Sequence, residues 1–239
     1  MSAALRGGWR IERRAGTAAR LHAPWPEDAG PADRVASLCA ATVPAVVLGS
    51  SQDDRVVDAR RAAAAGIEVA RRRSGGGAVL VVPDGQVWLE VWLGREDPLW
   101  DDDIVHGARW LGELWRTVLE DLGAAPLALH GGRAVVTEWS PFVCFAGIGP
   151  GEVLAGSAKV VGVSQRRTRQ GARFSSMAPL RWDPTALVAV LDLPATVARA
   201  EPALAHAALG LRAVLAVDDR RPDADVVTRV GDALLHALH

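Results

Sequence analysis

Apolar residues recur through the middle of the chain at steps of three and four. Ile104, Ala108, Leu111, Trp115, Val118 and Leu122 make one stripe, and the spacing predicts a helix over residues 102–122. Asp101, Asp102 and Asp103 sit at its positive end, and Gly123 follows its last turn. Shorter apolar runs bounded by glycine and proline predict strands at 9–13, 45–49, 67–71, 134–137, 152–154, 159–165 and 173–180. Residues 78–82 and 86–93 flank Pro83-Asp84-Gly85, a turn triplet, and predict a hairpin. Helices are expected at 31–41, at 55–65 up to Gly66, and at 223–238. Strands and helices alternate irregularly, with no repeat and no linker-like shift in composition. The expected fold is α/β (α+β), a mixed β-sheet flanked by helices, in one domain over 1–239.

Composition narrows the class. The 239 residues are 49% hydrophobic and 23% charged, with a formal net charge of −1. That balance argues against a chain devoted to nucleic acid or to an anionic membrane surface. No apolar run approaches the ~20 residues of a membrane span. The arginine-bearing N-terminus shows no apolar signal core, and two cysteines build no disulfide framework, so a cytoplasmic protein is expected. One feature stands apart. Of the 27 basic residues a single one, Lys159, is lysine. Where arginine serves for charge alone, a surviving lysine points to a role for a compact, titratable ammonium, against the plainer reading of a chance surface residue.

Two segments can carry chemistry. Arg-Arg-Arg-Ser-Gly-Gly-Gly-Ala-Val at 71–79 puts three glycines between apolar strands, which frees backbone N–H groups and lets a ligand approach the main chain. The arginines before it offer charge to a carboxylate or phosphate. Leu80 stands where a dinucleotide loop needs glycine, and the lysine is not in a Walker context. The second segment runs from Cys144 through a Gly-rich stretch to Lys159, which opens an apolar strand. A free cysteine near such a lysine is a candidate nucleophile, and inert core is the alternative. Cys39, inside the apolar run 35–43, is read as core. The six histidines show no metal-ligand spacing, so no metal site is expected. Most of the tryptophans are assigned to packing the sheet against the long helix. The basic run Arg166, Arg167, Arg169 and Arg173 reads equally as a solvated loop or as a dock for an acidic carrier domain.

Together the two segments resemble the biotin/lipoate protein ligase superfamily, in its lipoate-protein ligase and octanoyltransferase branch. The loop at 71–79, the Lys159–Arg166 stretch (Lys-Val-Val-Gly-Val-Ser-Gln-Arg) and Val-Leu-Gly-Ser-Ser-Gln at 47–52 carry the likeness, over roughly residues 45–184. The resemblance implies a cytoplasmic enzyme of protein lipoylation whose Gly loop covers an acyl tunnel. By position it implies that Arg72, Ser74, Gly75, Gly76, Gly77 and Ala78 bind substrate and that Lys159 contacts the reacting group. The chain has Gly151-Glu152 where ligases carry Asn-Asp, and Cys144 stands fifteen residues before Lys159, as in cysteine-dependent octanoyltransferases.

Three functions follow. The first is transfer of an octanoyl or lipoyl group from a carrier thioester through Cys144 and Lys159 to a lysine of a lipoyl carrier domain, with no cofactor. The second is a ligase that uses free lipoate, ATP and Mg. The third, from another class, is a non-catalytic binder of acyl groups or nucleic acid.

Overall fold

The computed structural model describes residues 8–198, 201–218 and 220–238. Among the described residues ten strands form two sheets. The larger uses β1 (Arg10–Gly16), β2 (Arg34–Ala41), β6 (Gln86–Gly94), β7 (Ala128–Leu129), β8 (Val153–Ala155), β9 (Ala158–Arg167) and β10 (Gly171–Pro179), in the order β1-β2-β6-β10-β9-β8-β7. The smaller uses β3 (Ala45–Leu48), β4 (Glu68–Arg71) and β5 (Val79–Val81), in the order β4-β3-β5. Pairs β1–β2 and β3–β4 are parallel and the others antiparallel, so both sheets are mixed, as expected.

Period-2 alternation on β6 organises the core. Val87, Leu89, Val91 and Leu93 face one way and join the main apolar cluster. That cluster is completed by Leu111, Trp115, Val118 and Leu119 of one helix and Val230, Leu234 and Leu235 of another. Trp88, Glu90 and Trp92 alternate with them and are also buried, so β6 is covered on both faces. The predicted stripe at 102–122 is helical but broken. It forms α3 (Ile104–Gly107) and α4 (Arg109–Asp121), following α1 (Ala18–Leu21) and α2 (Ala59–Ala64). Among the described residues four short helical stretches follow, α5 (Thr185–Val190), α6 (Ala195–Ala198), α7 (Glu201–Ala205) and α8 (Leu211–Val214), before α9 (Asp223–Ala237).

Three expectations fail. Residues 31–41 are not helical: β2 pairs with β1 on one side and β6 on the other, and pairing on both edges overrides the helix preference of an Ala-rich segment. The Pro83-Asp84-Gly85 turn forms, with the Gly85 amide donating to the Val82 carbonyl at 3.2 Å, but β5 and β6 do not pair. The turn instead passes the chain from the small sheet to the large one. Residues 134–137 make a single bridge, Val135 to Ile148, rather than a strand. Among the described residues no helix is long and apolar enough to cross a membrane.

Candidate active site

The loop after β4 and the turn before β8 meet where the two sheets adjoin. Main-chain bonds lock them together: the Ala78 amide donates to the Phe142 carbonyl (2.7 Å), and the Cys144 amide donates to the Ala78 carbonyl (2.8 Å). Glycine is required at the junction. A Cβ on Gly77 would lie 2.6 Å from the Val143 carbonyl carbon, and Gly76 has φ +98°, with a Cβ position 2.8 Å from an Arg72 nitrogen. Cys144 thereby sits under the loop, half-buried, at the start of a short 3-10 turn (Cys144–Ala146).

Arg72 shapes the loop from inside. Nη2 donates to the Gly75 and Gly77 carbonyls, both at 2.8 Å, and Nη1 donates to the Val47 carbonyl at 3.2 Å. The same Nη2 lies 3.9 Å from Cys144 Sγ. With the carbonyls turned inward, the amide N–H groups of Gly75, Gly76 and Gly77 have no acceptor among the described residues. These three residues line a cavity of about 440 Å³, together with Cys144, Glu152, Lys159 and Ser164. A second, smaller cavity of about 30 Å³ shares Cys144, Val163 and Ser164 with the first and is lined also by Arg72, Val79, Phe145, Met177 and His22.

Lys159 is 1% exposed. Its Nζ donates to Glu152 Oε2 and to the Cys144 carbonyl, both at 2.8 Å, and lies 5.3 Å from the Phe145 ring centre. An ammonium has three N–H donors, so one is left for a ligand. Glu152 also accepts from the amides of Gly149 (2.6 Å) and Val163 (3.1 Å). Burial pushes its carboxyl above the usual range; the Lys159 charge, the largest opposing influence, and the two amides pull it back. The pair is close to neutral overall, so Lys159 offers a directed hydrogen bond more than a net positive field.

The structure thus brings Cys144, Lys159 and the three loop glycines to one cavity, with Arg72 as the clamp beneath them. Ser74 instead faces Ser164, oxygen to oxygen at 2.9 Å, beside a niche of about 20 Å³. Ala78 has its methyl buried in the apolar cluster with Val46 and Leu48, and its backbone joins the loop to the Cys144 turn. The basic run also divides. Arg173 is buried against Glu90, and Arg167 donates to the Asp101 and Asp102 carbonyls, which leaves Arg166 and Arg169 exposed. Cys39 is core, its thiol pushed up to about 12 chiefly by burial. Glu152 was visible in the sequence only as a departure from Asn-Asp, and Ser164 carried no signal of its own. Gln52, inside the Val-Leu-Gly-Ser-Ser-Gln stretch, buttresses the site by donating to the Pro141 carbonyl and accepting from the Gly49 amide.

A family model described as the lipoyl protein ligase A/B catalytic domain matches residues 28–209, most of the chain and all of this site. The chain belongs to that family. It is a family of enzymes, and the fold agrees with it. Lipoate-protein ligase A bound with ATP superposes with a TM-score of 0.62 at 19% identity, covering 86% of this chain and 71% of that one. A bi-partite archaeal lipoate protein ligase from Thermoplasma acidophilum, described with its E2 lipoyl domain, gives a TM-score of 0.67 at 18% identity, covering 95% and 82%. A lipoate protein ligase from T. acidophilum with bound lipoic acid gives 0.63 at 18% identity, covering 88% and 73%. No curated protein matches by sequence.

Proposed function

We propose that this protein is a cysteine-dependent acyltransferase of protein lipoylation, working as one catalytic domain. It moves an octanoyl or lipoyl group from a carrier thioester to a lysine of a lipoyl carrier domain. The observation that carries this reading is Cys144 Sγ on a cavity wall shared by unpaired loop amides and a lysine with one N–H to spare.

In the first half-reaction Cys144 sulfur attacks the thioester carbonyl and the carbon–sulfur bond to the carrier breaks. The thiol proton leaves with the carrier thiol, so one thioester replaces another and no nucleotide takes part. The oxyanion formed in between is addressed by the amides of Gly75, Gly76 and Gly77 and by the third N–H of Lys159. In the second half the neutral amine of the acceptor lysine attacks the Cys144 thioester. An amide forms, the carbon–sulfur bond breaks, and the amine proton passes to the departing Cys144 sulfur. Glu152 keeps Lys159 aimed throughout. Exposed Arg166 and Arg169 are placed to meet an acidic carrier.

The second reading is a ligase that uses ATP and Mg with free lipoate, favoured by the likeness to an ATP-bound relative. Neither Arg72, which donates to three carbonyls, nor Lys159, which is paired with Glu152, brings an uncompensated charge to a phosphate. Reconstitution separates the two. Octanoyl-carrier protein, this protein and a lipoyl domain should yield an octanoyl-lysine amide without nucleotide, and Cys144→Ala should yield none. Product that requires ATP and survives Cys144→Ala makes the protein a ligase.

A further inference from the structure

His22 is a buried ionisable residue that the proposed reaction does not use. It ends α1, next to the cluster around Glu90, and is 7% exposed. Its ring tilts against the Trp88 indole with 4.7 Å between centres. Burial is the main reason that it stays neutral, with its pKa lowered to about 4; Arg173, Arg72 and Arg14 act in the same direction and Glu90 opposes them.

The carboxylate that acts on it is already engaged. Glu90 accepts from Trp88 Nε1 (2.6 Å), Arg173 Nε (2.6 Å) and Ser175 Oγ (2.7 Å). Neither nitrogen of His22 makes a hydrogen bond among the described residues. The ring instead lines the smaller cavity whose wall also includes Cys144, and the niche beside Ser74.

A buried polar group of this kind needs a partner. The smaller cavity, about 30 Å³, has room for roughly two water molecules, which would serve the ring while no ligand is bound. A saturated chain end entering this space displaces water and gives nothing back, whereas a chain end with a heteroatom restores the partner. Met177, unbranched and adaptable, lines the same space and can yield to a wider group. We propose that His22 reads the distal end of the acyl chain and selects chains with a polar heteroatom there over a plain saturated chain of the same length. This rests on the reading of the cavity as the acyl site.

The test is equilibrium binding, which does not depend on how the acyl group is activated. Octanoate, 8-hydroxyoctanoate and lipoate are titrated calorimetrically into Cys144→Ala protein with His22 present, or changed to Phe or Gln. Phe keeps the stack on Trp88 and Gln restores hydrogen bonding. With His22 in place, 8-hydroxyoctanoate should bind about tenfold tighter than octanoate, with lipoate between them, since sulfur accepts weakly. His22→Phe should bring the ratio below about twofold, and His22→Gln should recover most of it. Equal binding of octanoate and 8-hydroxyoctanoate with His22 present, or a ratio untouched by His22→Phe, overturns the assignment of His22 alone. If none of the three acids binds, the acyl reading of the cavity fails and this proposal fails with it.

Discussion

Glu90 and Glu152 are both buried carboxylates that hold a cation, and they differ in what the cation faces. Arg173 donates to Glu90 and, at 2.7 Å each, to the Ala23 and Leu21 carbonyls. It ties β6, β10 and the end of α1 together and faces only the small niche beside Ser74. Lys159 donates to Glu152 and to the Cys144 carbonyl, and keeps one N–H beside a large cavity. The first pair is a strut; the second is a positioned donor. The space that each cation faces makes that difference, about 20 Å³ beside Arg173 against about 440 Å³ beside Lys159, because burial and charge are alike in both. The two cysteines follow the same division: Cys39 lies beside Glu90 with its thiol raised, and Cys144 lies beside Arg72 and opens on the cavity.

Breaking the strut should have the largest effect, and on stability. Arg173→Met leaves the Glu90 carboxylate buried without a countercharge, which costs about 3–5 kcal/mol. Chemical denaturation should show the drop, while protein that remains folded still acylates Cys144. Lys159→Arg should do the reverse. The guanidinium keeps the charge but cannot hold the same donor geometry, so transfer falls by about a hundredfold or more. Overpacking adds a stability loss of about 1–3 kcal/mol. Near-normal transfer by this variant removes Lys159 from the reaction. The third effect comes from His22 at the edge of the strut. Its folded pKa of about 4 lies below the 6.5 of an ordinary histidine, so the unfolded chain binds more protons between those values. Stability should therefore fall as pH drops from 6.5 to 4, by up to about 3 kcal/mol. His22→Phe should flatten that part of a denaturation-versus-pH curve; an unchanged slope means that other groups supply it.

How much of this was legible in the sequence depended on whether a signal was local. The triple-glycine loop and the Cys144-to-Lys159 spacing are local, and they point to residues that the fold brings to one cavity. The strand at Arg34–Ala41 reads as a helix because its alanines favour helix when alone, and only β1 and β6 on its two edges make it a strand. Pro83-Asp84-Gly85 announced a turn but not that the turn changes sheets. Arg173 looked like one of four surface arginines. Pairing of β10 with β6 sets it against Glu90, a carboxylate 83 positions away. His22 gave no sign at all, since its significance lies in a cavity assembled from five separate stretches of chain. Glu152 was noticed as a substitution, yet its function as the anchor of Lys159 needs the β8–β9 hairpin to be seen.

Cys144 is the proposed carrier of the acyl group, and mass spectrometry tests that directly. Protein incubated with octanoyl-carrier protein, without nucleotide or magnesium, is digested and its cysteine peptides are mapped. One octanoyl group should appear on the peptide holding Cys144, disappear on hydroxylamine treatment and be missing from Cys144→Ala, with Cys39 unmodified. An octanoyl group on Cys39 alone, or no adduct while ATP-dependent transfer to a lipoyl domain proceeds, contradicts the account.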